Sequence, residues 1–266
     1  MSYTKYLSIA KIEMLNKFSY TIDTIFTGAF IAVVLFIFYN LWNTIYLGST
    51  TTIISGFTLS GILWYLVISE SVVAGGSGRI MSLNLSDDIK SGNIAQILNK
   101  PYNFVSYYLA SNIGNSVFTM LMSLIMCSAL IYFLIGVPQI SLIELPFVAV
   151  SMLLALVLQF FLYFSIGISA FWFEDISAFR WITEKLIFVL GGMLIPLSFF
   201  PKVLQTVAKM LPFSYMSYAP SYMLINFSIS NAVMTILAQL AWVVVLAAAA
   251  FGLYNLGARK VSINGG

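Results

Sequence analysis

The chain contains no histidine and one cysteine, and only 8% of its 266 residues carry charge. Without histidine it lacks the commonest general base and the commonest metal ligand. The lone Cys127 sits inside an apolar run, which excludes an intrachain disulfide and argues against a thiolate metal site. No G-x-x-x-x-G-K-[ST] occurs, so the usual loop for cradling nucleotide phosphates is missing. The glycines at Gly75, Gly76 and Gly78 are followed by Arg79 and Ile80, the wrong sequel for such a loop, and read as the frayed end of a helix. A net charge of +3, dispersed along the chain, gives no nucleic-acid footprint. The first eighteen residues spread their charges and show no small-residue cleavage site before the first apolar run, so no removable signal peptide is expected.

What the chain has in abundance is apolar residues, 61% of the total, with a mean hydropathy of +0.98. Soluble domains are about half apolar and about a quarter charged. So few charges could not cover a water-facing surface of this size, and lipid is the implied solvent. Uncharged runs extend from Thr24 to Ser69, from Lys100 to Glu144, from Glu144 to Glu174 and from Lys209 to Arg259. A membrane-spanning helix needs about 20 apolar residues. The polar stretch from Asn40 to Thr52 splits the first run in two. The expected fold is therefore an all-α membrane protein with six transmembrane helices, at 22–42, 53–75, 105–135, 145–173, 181–200 and 231–256. The fifth is the least regular, interrupted by Gly191, Gly192 and Pro196. The segment LPFSYMSYAPSYMLINFS, broken by Pro212 and Pro220, reads as short interfacial or re-entrant helices.

Six spans put both termini on one side of the membrane. That side receives Lys5, Lys11, Lys17, Arg79, Lys90, Lys100, Arg180, Lys185, Arg259 and Lys260, and the other only Lys202 and Lys209. Basic residues concentrate in cytoplasmic loops. The expectation is a multi-pass protein of the plasma membrane with both termini in the cytoplasm.

Two further segments are expected at that surface. Residues 3–20 place Tyr3, Leu7, Ala10, Met14, Leu15 and Phe18 apart from Lys5, Glu13 and Lys17, a pattern suited to lying in the membrane interface. Between the second and third spans, Ser86 is suited to cap a short helix whose positive end Asp87 and Asp88 would favour. Ile94, Ile97 and Leu98 then form an apolar stripe, and Pro101 ends it. A capped helix there would be a docking element.

The ionisable residues carry competing readings. Glu70, near the inner end of the second span, is a functional candidate by its depth, or faces the headgroups and pairs with Arg79 or Lys185. Glu174 and Asp175 adjoin Arg180, Glu184 and Lys185, and read as a structural ion-pair network at the membrane face. Gln159 suits interhelical hydrogen bonding. Trp42, Tyr46, Trp172, Trp181, Tyr215, Tyr218 and Tyr222 fit an interfacial aromatic belt.

Three stretches, in this order, carry a likeness: DDIKSGNIAQILNKP (87–101), ISAFWFEDISAFRWITEKLIFVLGGMLIPLSFFP (168–201) and LPFSYMSYAPSYML (211–224). Together with the N-terminal helix they make the whole chain resemble a type-two ABC exporter permease, of the ABC-2-like branch. The resemblance implies a single permease domain over 1–266, paired with an identical or related permease and resting on two cytoplasmic ABC ATPase subunits. By that likeness residues 86–99 would be the coupling helix, with Asp87, Asp88, Ile94, Ile97 and Leu98 facing the ATPase. Residues 203–225, including Pro212, Phe213, Tyr218 and Pro220, would form extracellular gate helices. The chain itself would bind no cofactor, ATP and magnesium belonging to the partner, and would perform no covalent chemistry. The principal competitor is a membrane-embedded lipid-processing enzyme using Glu70 or the Glu174–Asp175 pair. A secondary transporter would carry paired intramembrane charges and internal repeats, and neither is evident; a purely structural membrane subunit is a further alternative.

Overall fold

The computed structural model describes residues 4–19, 21–98, 102–138 and 140–264. Tyr3, Lys100 and Pro101 lie outside them. Eleven α-helices are joined by turns and three short 3-10 segments, and no β-strand occurs among the described residues. The helices are α1 (Thr4–Ser19), α2 (Thr21–Leu47), α3 (Leu59–Gly75), α4 (Gly78–Lys90), α5 (Ile94–Leu98) and α6 (Phe104–Ile135). They continue with α7 (Glu144–Ile168), α8 (Ser177–Leu190), α9 (Lys202–Lys209), α10 (Tyr218–Ile225) and α11 (Ile229–Asn264).

Five stretches are long and apolar enough to cross a membrane: Thr24–Leu47, Leu59–Lys90, Phe104–Ile135, Glu144–Phe171 and Ile229–Lys260. Apolar residues surround most of these helices, which is stable only in lipid or inside a large core. Local chemistry sets their ends. The Thr58 hydroxyl accepts from the Gly61 amide at 3.0 Å to start α3, and the Asn103 side chain accepts from the Ser106 amide at 2.9 Å to start α6. Gly136 ends α6 at φ 82°, a conformation open to glycine at little cost.

Helix α3 is the centre of the bundle, buried from Ile62 to Val72. It packs on α6, α2 and α10, while α7 packs on α11 and α4. One end of the bundle gathers α4, the start of α6, the 3-10 turn Ser169–Phe171 and the end of α11. There Gly167 lies against Ser82, and Lys260 donates to the Phe171 carbonyl at 3.4 Å. The opposite end joins the end of α2 to the start of α3, where the Tyr46 hydroxyl donates to the Phe57 carbonyl at 2.6 Å.

The expected fifth span, 181–200, is not a continuous helix. Helix α8 has 14 residues and stops at Leu190. Gly192 then takes φ 64°, and a 3-10 turn, Leu197–Phe199, follows Pro196. This segment nevertheless keeps contact with the bundle beyond α8. Its start adjoins the Ser169–Phe171 turn, its middle accepts hydrogen bonds from Tyr65 and Ser69 of α3, and Phe199 packs on Trp42 and Phe57. The expected helix was lost because Gly191, Gly192 and Pro196 cannot continue one, while α3 hydroxyls satisfy the released carbonyls.

The described part of the expected N-terminal helix, α1, is continuous, so its apolar positions Leu7, Ala10, Met14, Leu15 and Phe18 share one side of it. Helix α1 lies along the first half of α6, with Ala10 on Gly114, the Tyr6 hydroxyl accepting from the Asn103 amide at 3.0 Å, and Phe18 against Phe118. Leu7 and Leu15 remain exposed while Ala10 and Met14 are partly covered. Among the belt aromatics, Trp42 and Tyr218 are buried in the core instead; Trp172 and Trp181 stay exposed.

Candidate functional site

A cavity of about 680 Å³ opens among α2, α3, α4, α6, α7 and α8. It exists because helical continuity fails at Gly76–Ser77, between α3 and α4. Polar side chains close around that break. The Asn112 amide donates to Ser77 Oγ at 2.8 Å, Ser77 and Ser116 share a hydrogen bond of 2.8 Å, and the Gln159 amide reaches the Val72 and Met216 carbonyls at 3.5 and 3.4 Å. The expected interhelical role of Gln159 is thus in place.

Glu70 lines this cavity, one turn and more before the break. It is 5% exposed, and its Oε1 has no hydrogen-bond partner. Arg79, Glu184 and Lys185 line the same cavity. The expected pairing of Glu70 with Arg79 or Lys185 does not occur. Among the described residues the expected network at the membrane face shows one ion pair, Arg180 to Glu184 at 2.9 Å, one helical turn apart on α8. Lys185 lies over the Trp181 ring at 5.7 Å. Glu174 and Asp175 are exposed in the loop before α8 and do not line the cavity. Asp175 accepts from the Ser177 amide at 2.8 Å, and this backbone hydrogen bond holds its carboxyl below the usual range. Asp175 thus caps the start of α8, while Glu174 has no ion pair among the described residues.

The segment between α3 and α6 also departs from expectation. Ser86 does not cap a helix: it lies inside α4, buried against α7. Asp87 and Asp88 therefore sit in the last turns, not the first. Asp88 accepts a 3.4 Å hydrogen bond from the Tyr108 hydroxyl, and Asp87 is exposed. The Ser91 hydroxyl closes the helix by donating to the Asp87 carbonyl at 2.8 Å. Gly92, at φ 77°, turns the chain into α5. Ile94 is 2% exposed and Ile97 packs on the same core, so the stripe to which Leu98 also belongs turns inward at these two positions. The exposed positions from Asp87 onward are Asp87, Lys90, Ser91, Gly92, Asn93, Ala95 and Gln96.

Residues 211–225 enter the bundle and leave by the end at which they came in. A 3-10 segment, Pro212–Met216, brings the Met216 carbonyl to Gln159, and Ser217 meets Ser69 at 2.7 Å. Helix α10 then returns along α3, with Tyr218 against Tyr65 and Ile225 against Gly61. Pro212, Tyr218 and Pro220 are buried, and Phe213 is partly so.

The sequence reading missed the polar lining contributed by α6: Tyr108, Ser111, Asn112, Asn115 and Thr119. Their signal was present, since three- and four-residue spacing puts them on one helical face.

A search of curated proteins gives no match for the chain. The profile of the ABC-2 family transporter proteins, by contrast, matches residues 19–265, from the end of α1 through α11. Five long apolar helices, a cavity roofed by broken ones and a match spanning nearly the whole sequence agree: the chain is a multi-pass membrane protein that belongs to the ABC-2 family of transporters.

Proposed function

We propose that this chain is the permease subunit of an ATP-driven exporter, coupled to a separate cytoplasmic ATPase and acting beside a second permease chain, identical or related. The observation that carries the reading is the cavity around Glu70, built at the same end of the bundle as α4 and α5. A translocation path and a docking surface would then share one structural unit.

In this reading α8 and the 3-10 turn after it make a sixth, broken crossing. Both termini lie in the cytoplasm of a plasma-membrane protein, as the distribution of basic residues supports. The exposed surface of Asp87, Ala95 and Gln96 meets the ATPase, and residues 203–225 act as the extracellular gate. ATP and magnesium belong to the partner. Substrate leaves outward when closure of the ATPase pair pushes on α4 and α5. No covalent chemistry is assigned to this chain. The lipid-processing alternative is left with Glu70 alone, because Glu174 and Asp175 stand outside the cavity.

The test is co-purification with the ATPase. Ile97→Asp is a poor probe, since it also disturbs the core. Asp87→Arg combined with Gln96→Asp alters the exposed face alone, and should lower ATPase recovery and permease-dependent hydrolysis with the melting temperature unchanged. A complex and a rate identical to wild type would sink the proposal.

A further inference from the structure

An unpaired carboxylate in a buried position is costly, and the cost is met by neutralisation or by a partner of opposite charge. The Oε1 of Glu70 has no hydrogen-bond partner, yet the residue lines a cavity. Three cations line the same cavity, Lys17, Arg79 and Lys185, and none is ion-paired with Glu70 among the described residues. Arg79 lies beyond the helix break, about 13 Å further along the α3–α4 axis at an ideal helical rise, and Lys185 lies over the Trp181 ring. Glu184 lines the cavity but is held by Arg180.

We propose that the cavity takes an organic monocation, an ammonium or comparable charge on an apolar body, and that Glu70 is its counterion. This assigns a substrate class to the permease reading above and rests on it. Three features define the class. A single carboxylate with no second acid beside it does not suit a divalent metal ion, which takes six or more oxygen ligands or keeps its own waters. No cluster of three metal-ligating side chains occurs among the described residues. Phe30, Tyr108 and Tyr163 supply ring surfaces that attract an organic cation and an apolar body alike. Lys17, Arg79 and Lys185, which line the same cavity, disfavour a polycation, while the carboxylate disfavours an anion beside it.

The experiment uses two ions of the same shape and opposite charge. Tetraphenylphosphonium and tetraphenylborate are titrated into the purified full-length chain in a neutral detergent, with calorimetric detection. Saturable phosphonium binding is expected, with tetraphenylborate at least about tenfold weaker. Glu70→Gln should weaken the phosphonium by at least about tenfold, and Glu70→Asp should restore most of it. Equal affinity for the two ions would show apolar burial alone and overturn the assignment. So would undiminished phosphonium binding by Glu70→Gln, or no saturable binding by wild type. The comparison of the two ions is made on the wild-type chain and holds even where a variant folds poorly. ATPase recovery by Glu70→Gln separates the two readings: retained recovery with absent phosphonium binding removes the substrate class and leaves the permease.

Discussion

The Ser69 hydroxyl donates to the Met193 carbonyl at 2.8 Å, joining the central helix α3 to the point where α8 has given way to a turn. Ser217 lies 2.7 Å from the same oxygen, and since the Ser69 proton is already engaged, Ser217 is the donor. Four residues earlier on α3, the Tyr65 hydroxyl donates to the Gly192 carbonyl. Two side chains thus replace the helical partners that these carbonyls lost.

Removing either hydroxyl strands a carbonyl in an apolar interior. Ser69→Ala and Tyr65→Phe should each destabilise the chain by about 0.5–2 kcal/mol, the range seen for hydrogen bonds within membrane helices and for buried partners. Thermal unfolding in detergent measures this. Wild-type melting for both variants would mean that water or another group satisfies these carbonyls.

Helix α1 is held by close backbone approach. A Cβ at Gly114 would strike the backbone of Ala10, which cannot rotate aside as a side chain could. Gly114→Val should therefore push α1 away from α6, at about 1–3 kcal/mol for forced overpacking. Trypsin should then cut after Lys11 faster than in wild type. An unchanged digestion rate would place the anchorage of α1 elsewhere.

Because Cys127 is buried, and a buried thiol reacts slowly, single cysteines can be introduced against a quiet background. An impermeant maleimide added to intact cells should label Thr51→Cys and Val203→Cys. Ser177→Cys and Gln96→Cys should label only after permeabilisation. Labelling of positions 177 and 203 from the same side would eliminate the broken crossing.

The Asp175 carboxyl titrates below its ordinary value because it accepts the Ser177 amide, aided by the positive charges of Lys90 and Arg180. A lowered folded-state value adds stability above the ordinary carboxylate range, lost as pH falls through the lowered value. Asp175→Asn should thus lose less thermal stability than wild type between about pH 5 and about pH 2. The difference will be small, since the group is exposed and screened. An identical acid profile would remove this role.

The long helices were legible because uncharged runs of membrane length are bounded by charge. The irregularity at 191–200 was legible from Gly191, Gly192 and Pro196, although its repair by Tyr65 and Ser69 depends on contacts between distant segments. The start of α4 was misread for a physical reason. Ser-Asp-Asp is a strong local signal for a helix beginning at Ser86, but burial of Leu85 and Ser86 against α7 keeps the helix continuous from Gly78. Glu174 and Asp175 looked like members of a network from spacing alone, whereas Asp175 is engaged by the Ser177 amide at the start of α8. The polar face of α6 could have been read at Asn112, Asn115 and Thr119, where helical spacing holds within an apolar run.

Glu70 and the exposed surface of α4 and α5 belong to one nearly unbroken strut, Leu59–Lys90, with its single joint at Gly76–Ser77. Along this strut a force applied to its lower arm reaches the carboxylate through that joint, which the Gln159 side chain and the Ser77–Ser116 contact brace from two sides. On the coupling proposed above, the stiffness of this joint would determine how much of the motor's stroke arrives at the cargo. Slackening it with inserted glycines would leave an engine that turns over without moving its load.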